Sequence, residues 1–281
     1  MVRVCIATAV NLLIVIMILA TPSAGRGTSI PGSRVVRGVT GEGACAIFGM
    51  SAEQSQLIAL QKARSSAIET ATGVRVVSST LVRDGMVAVD LIRTYSRGFI
   101  TAEKVQWLPL AQYQESPDRP PIPEYRVRIQ ADVAIPEDNP APVGLSAELS
   151  NKLFRSGENA TLAIQTVRDA LVAVLNITAD DQVVLLFPND YDQSNRIPAG
   201  GSLQFPSAGS QVSLEMQTLP GHERDAEAFF VIGIRAEKQI DFLSLFGGGR
   251  PLPLASFFRR YSEVASAADE VILPYAVENG K

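Results

Sequence analysis

Histidine, tryptophan and cysteine are almost missing from this chain: in 281 residues there is one His, one Trp and two Cys. A single histidine, His222, excludes zinc motifs built on two imidazoles. Its surroundings, Pro220-Gly221-His222-Glu223-Arg224, read as a polar turn with a solvated histidine. Of the cysteines, Cys5 lies in an N-terminal stretch expected to be removed, so Cys45 is left alone and no internal disulfide can form. The fold must therefore be held by its core. Cys45 sits in the apolar run Ala44-Cys45-Ala46-Ile47-Phe48 and reads as a small buried hydrophobe. A Cys45–His222 thiol site is disfavoured, because a reactive thiolate needs polar, electropositive neighbours.

Several catalytic signatures are missing as well. There is no Gly-x-Ser-x-Gly elbow, no Ser-x-x-Lys and no Gly-x4-Gly-Lys-Ser/Thr phosphate loop. The run Gly247-Gly248-Gly249 lacks the lysine and reads as a hinge. Asp190, Asp192 and Ser194 begin like a calcium loop, but Gly201 stands where the bidentate Glu should be, so a structural hairpin loop is expected. Asp180 and Asp181 are adjacent and would point to opposite faces of a strand, which suits turn residues better than a pair of acids. No catalytic, cofactor-binding or metal-ligating residue is assigned from the sequence.

Long apolar runs are scarce too. The exception is residues 10–20, which follow a basic start (Arg3) and precede Thr21-Pro22-Ser23-Ala24-Gly25. That is the order of a secretory signal peptide over residues 1–24, cleaved after Ala24 or Gly25. The run is short for a membrane span, which needs about 20 apolar residues; a retained N-terminal anchor is the alternative. A lipobox would place a Cys directly after this run, whereas Cys5 precedes it and Cys45 lies far beyond, so no lipid anchor is expected. Removing residues 1–24 leaves 24 basic and 29 acidic residues, a net charge of −5. Without a basic stripe, nucleic acid is a poor partner.

What is present is an orderly series of elements. Residues 25–34 read as a flexible lead-in and 35–48 as a strand. Residues 51–72 carry the clearest helix signal: Ser51 as N-cap, Gln54 as its capping-box partner, Leu57, Leu60, Ala67, Ile68 and Ala71 at helical spacing, and Gly73 as the stop. Lys62 and Arg64 fall on or near its wet face. Residues 74–82 and 98–114 read as strands, and 87–95 as a strand or a helix, with the strand preferred. The four prolines of 116–123 argue against a central strand there. Residues 125–135 alternate apolar and polar, as in an antiparallel strand wet on one face, and the helix at 51–72 would cover the apolar side. The proline-rich stretch 136–144 reads as a linker. Beyond it, strands at 160–166, 170–177, 182–187, 202–205, 211–217 and 226–236 give a β-rich, sandwich-like domain over 145–281. It closes with a helix at 254–267 and a strand at 271–277. Trp107, Phe154 and Phe187 are expected in the core. The expected class is α+β: an N-terminal helix packed on an antiparallel sheet over 35–135, followed by a mainly β domain with a C-terminal helix.

Two stretches resemble known families. Gly41-Glu42-Gly43, a helix carrying Ala59, Ala63, Arg64 and Ala67, then Gly73-Val74, Gly98-Phe99-Ile100 and Tyr125-Arg126-Val127 resemble the N-terminal domain of the flagellar assembly protein FlgT and related small outer-membrane lipoproteins. Phe154-Arg155-Ser156-Gly157-Glu158, Leu186-Phe187-Pro188-Asn189 and Asn195-Arg196-Ile197-Pro198-Ala199-Gly200 resemble a bacterial domain of unknown function. Elsewhere that domain is fused to caspase-like peptidases or Ser/Thr kinases. This second resemblance implies an accessory β-domain and brings no catalytic residue.

The reading that follows is a non-enzymatic exported protein of the periplasm or outer membrane, acting as a binding or assembly module in an envelope protein complex. A glycan- or small-molecule-binding module is the alternative, and a hydrolase with scattered carboxylates a third. The apolar stripe Phe257, Phe258 and Tyr261 is the candidate interface, should its helix be exposed.

Overall fold

A computed structural model of the protein describes residues 33–73, 98–136 and 142–280. The expected signal peptide, the strands expected at 74–82 and 87–95, and linker residues 137–141 lie outside the described residues.

The N-terminal layer is built around one alternating strand. In β4 (Ile122–Pro136), Val127, Ile129, Ala131 and Val133 are buried while Arg126, Arg128 and Gln130 are exposed. β1 (Ser33–Ala46) runs antiparallel along one side of it, and β2 (Phe99–Trp107) and β3 (Ala111–Tyr113) along the other. The strand begins at Ile122, inside the proline-rich stretch, because Pro123 pairs with Gln112 on a short edge segment, where a missing N–H is tolerated.

Helix α1 (Ala52–Thr72) covers the apolar face. Its N-terminus is the capping box read from the sequence: Gln54 N–H donates to Ser51 Oγ (3.2 Å) and Ser51 N–H to Gln54 Oε1 (3.0 Å). It ends at Gly73, whose φ of 72° is left-handed, a conformation that a Cβ would strain. The helix lies unusually close to β1. A Cβ at Gly43 would sit 2.0 Å from the Ala59 carbonyl oxygen, and one at Gly41 2.1 Å from that of Ala63. Bare glycine backbone on the strand thus meets a row of alanines, Ala59, Ala63 and Ala67, all fully buried. Arg64 is buried as well, not on the wet face, because β2 and a later turn enclose that side of the helix.

The C-terminal part is mainly β. Its elements are β5 (Leu145–Leu149), β6 (Leu153–Arg155), β7 (Asn159–Ala160), β8 (Leu162–Thr166), β9 (Ala170–Ile177), β10 (Gln182–Phe187), β11 (Arg196–Ile197), β12 (Ser202–Phe205), β13 (Leu214–Glu215), β14 (Arg224–Arg235), α2 (Phe242–Phe246), β15 (Leu252–Pro253), α3 (Leu254–Tyr261) and β16 (Ala268–Glu278). The central sheet has the order β15-β10-β9-β14-β16-β6, with β11 also on β9. A second sheet, β12-β8-β5, and the short β13-β7 pair complete the set. Asp269 ties the chain's entry into β5 to β16: one carboxylate oxygen accepts the backbone N–H groups of Val143, Gly144 and Leu145 at 3.1, 2.7 and 3.2 Å.

From Ala228 to Ile234 β14 is apolar on both faces, as a central strand covered on both sides must be. Phe229 and Val231 point into a core shared with Leu162 and Ile164 of β8 and Phe205 of β12. Ala228, Phe230, Ile232 and Ile234 point into the other core, with α2 and α3. That second core does not stop at the C-terminal part. It continues through Phe99 into Ile129, Ala131 and Ala63 of the N-terminal layer, so the segments on either side of 137–141 share one apolar interior. Phe99 of β2 stacks on Phe258 at 5.6 Å and meets Tyr261 edge-on at 5.2 Å.

Phe257, Phe258 and Tyr261, the stripe assigned as a candidate interface, are this interior. They are 0%, 0% and 1% exposed, clamped between Phe230 below and Phe99 or Phe246 beside them. Full burial of one such ring stabilises by about 1.5–3 kcal/mol, so the stripe holds α3 in place and offers no free surface. The helix also stops at Tyr261, and residues 265–267 form a 3₁₀ turn before β16.

Candidate functional site

Polar side chains gather in three buried places. The first joins the two parts of the chain. Arg64 of α1 forks onto Glu103 of β2, with Nε donating to Oε2 at 3.0 Å and a terminal nitrogen to Oε1 at 2.6 Å. Its other terminal nitrogen reaches Asp181 Oδ2 at 2.6 Å, and Gln61 Nε2 donates to Asp181 Oδ1 at 3.0 Å. Asp181 sits in the turn between β9 and β10 with φ of 61°, and its carbonyl accepts the N–H of Leu254 at the start of α3. Burial pushes its carboxyl up, against the pull of Arg64 and Gln61. The turn role read from the sequence holds, but the side chain is a junction for three elements.

The second surrounds the lone histidine. His222 Nδ1 lies 2.6 Å from Asp225 Oδ1, while Asp225 Oδ2 accepts the Leu219 N–H at 2.5 Å. The imidazole is a quarter exposed and the Asp225 side chain is 3% exposed. The Pro-Gly-His turn is thus pinned to the first residues of β14. Sequence reading missed this pair; the i,i+3 spacing directly after a Pro-Gly turn was the available signal. Cys45 is on β1 of the N-terminal sheet, its thiol pushed up by burial and directed to the Ala46 carbonyl.

The third lies between the strands of the central sheet: Glu227 of β14, Tyr275 of β16 and Asn176 of β9 are mutually hydrogen-bonded and buried.

Other sites read from the sequence resolve differently. In the loop after β10, Asn189 Oδ1 accepts the N–H groups of Tyr191 and Asp192 at 2.9 and 2.8 Å, a pinned structural loop as expected. Among the described residues no group of His, Cys, Asp and Glu is arranged to hold a metal ion, and no helix is long and apolar enough to cross a membrane. A depression of about 160 Å³ is lined by Glu42, Gly43, Ala44, Leu108, Arg126 and Val127; small-molecule pockets usually measure about 300–1,000 Å³.

The accessible chemistry is aromatic. Phe154 and Phe187 are core residues, but Trp107 is 44% exposed. β2 begins buried beneath α3 at Phe99 and Ile100 and emerges from that cover by Lys104. Its far end therefore carries Val105 and Trp107 to the surface, followed by Leu110 and by Tyr113 of β3. Trp107 packs edge-on against Tyr125 at 6.2 Å. Phe48, at 73% the most exposed of the large apolar side chains among the described residues, follows the end of β1, where Ile47 N–H binds the Pro123 carbonyl.

Residues 153–225 match the family described as Domain of unknown function (DUF4384). The match runs from β6 to the first residues of β14 and contains all the motifs that carried the second resemblance. It takes in the His222–Asp225 turn and leaves out Glu227, α3 and β16. The FlgT likeness of the N-terminal part finds no support in this comparison. No curated protein matches the chain.

Proposed function

We propose that this protein is a non-enzymatic exported module of the bacterial envelope that works by binding, and that it meets its partner through the end of the N-terminal sheet marked by Trp107. The exposed side chains Val105 and Trp107, which share one face of β2, with Leu110 exposed in the loop that follows, are the observation that carries this reading. Large apolar side chains grouped at a surface mark interaction sites more often than scattered ones do, and Trp and Tyr dominate binding hot spots. The buried acids support it too: Glu103 and Asp181 are engaged by Arg64, and Glu227 by its own neighbours, which are structural duties.

The test is a photo-reactive amino acid placed at Val105 in the full chain in cells, with Tyr191, 66% exposed in the loop after β10, as control. The expected result is an envelope protein joined at Val105 and not at Tyr191, reduced several-fold by Trp107→Ala. Identical adducts at both positions, or none above a tagged periplasmic control, would sink the reading. Export predicts an intact mass beginning at Gly25 or Arg26.

Trp107 edge-on to Tyr125 also favours a second reading, a sugar platform. As Trp107 is the only tryptophan, intrinsic fluorescence reports on this surface directly. A saturable change on titration with peptidoglycan fragments supports the sugar reading; a flat trace removes it.

A further inference from the structure

Glu227 on β14 faces Tyr275 directly across the ladder on β16, with Asn176 reaching in from β9. The Tyr275 hydroxyl oxygen lies 2.6 Å from Glu227 Oε2 and 2.8 Å from Asn176 Oδ1, and Asn176 Nδ2 donates to the same Oε2 at 2.9 Å. A phenol carries one proton. With Glu227 ionised, that proton serves one acceptor and leaves the other facing a lone pair at hydrogen-bonding distance. A proton on Glu227 Oε2 removes the conflict. It is donated to Tyr275, whose own proton goes to Asn176 Oδ1, and the Asn176 amide closes the ring onto Oε2. Glu227 Oε1 is buried with no partner, an arrangement far less costly for a neutral acid than for a carboxylate.

The opposite face of the same ladder repeats the theme. Glu270 of β16 lies across from Ile232, and its Oε2 accepts the Tyr261 hydroxyl of α3 at 2.6 Å. Neither acid forms an ion pair among the described residues. The titratable and charged groups around Glu227 are Tyr275 from β16 and Asp225 from its own strand, which is turned to His222. Those around the Tyr261–Glu270 pair reduce to Asp269, which is turned to the N–H groups before β5. Among the described residues no cation offsets either charge.

We propose that the β14–β16 ladder is a proton-sensitive brace whose contact among Glu227, Tyr275 and Asn176 is tight when Glu227 is protonated and slackened when it ionises, with Glu270 a second acid without an ion pair on the opposite face. Because Tyr261 packs on Phe99, a charge that appears on Glu270 is felt at the contact between the C-terminal layers and the N-terminal sheet. Burial pushes both carboxyls up, that of Glu270 from 4.5 to about 7. A carboxyl raised on folding contributes stability that is complete below its unfolded value and is lost as pH rises through its folded one. The brace therefore weakens between mildly acidic and mildly alkaline conditions.

The experiment is thermal unfolding of the mature chain from about pH 5 to about pH 8, alongside the Glu227→Gln/Glu270→Gln double variant, whose amides cannot ionise. The expected result is a wild-type midpoint that falls by several degrees across this range and a variant that loses most of that fall. Parallel profiles would overturn the proposal. Should the variant fail to fold, wild-type protein with ¹³C-labelled glutamate carboxyls decides the matter. Two carboxyls still protonated near neutral pH support the brace, and every glutamate titrating at or below about 5 refutes it.

Discussion

A single arginine shows how much one buried residue can decide. Arg64 satisfies two carboxylates on two different elements, Glu103 and Asp181, and its side chain is only 8% exposed. Removing it leaves two carboxylates, each only 14% exposed, without this cation, the costly case, whereas replacing the whole group by uncharged residues is often neutral. Arg64→Met is expected to destabilise by about 3–5 kcal/mol in chemical denaturation. The triple change Arg64→Met, Glu103→Leu and Asp181→Asn should recover most of that loss, with Asn chosen because it tolerates the left-handed backbone at 181. A triple variant no more stable than the single one would mean that the arginine acts by some route other than charge.

At the scale of elements, the α1–β1 contact is set by what is missing from the strand. Gly41 and Gly43 permit an approach in which an added methyl would overlap the backbone carbonyls of Ala63 and Ala59. Backbone cannot rotate away as a side chain can, so the helix must be pushed off the sheet. Gly43→Ala is expected to cost at least the ~1–3 kcal/mol typical of overpacking, read as a lowered melting temperature. The same change at Gly209, where nothing lies within 4 Å of the added atom, meets only the strain of its φ of 84° and should cost less. Ser51→Ala removes the acceptor for the Gln54 N–H and should cost about 0.5–2 kcal/mol, measurable by the same melting curve.

For the whole molecule, the interior running from Ala63 and Ile129 through Phe99 to Phe258 and Phe230 makes the segments on either side of 137–141 dependent on each other. One calorimetric transition is expected, with calorimetric and van't Hoff enthalpies in agreement. Two resolved transitions would show that the N-terminal layer melts independently of the central sheet.

Local chemistry was legible in the sequence wherever one residue or a short period decides it. The Ser51–Gln54 capping box, the Gly73 stop, the alternation from Val127 to Val133 and the bounds of β9, β10 and β12 all rest on backbone geometry within a few residues. The fold class and the likeness of the C-terminal part to a domain of unknown function were legible in the same way. What tertiary structure alone decided is which apolar or charged side chains stay wet. The period of α3 showed that Phe257, Phe258 and Tyr261 share a face, but not that β14 and β2 close over it. Trp107 looked like core, and Arg64 like surface, for the same reason. Burial depends on where distant strands end and on which element crosses above, and a helical or strand period records only the direction a side chain points.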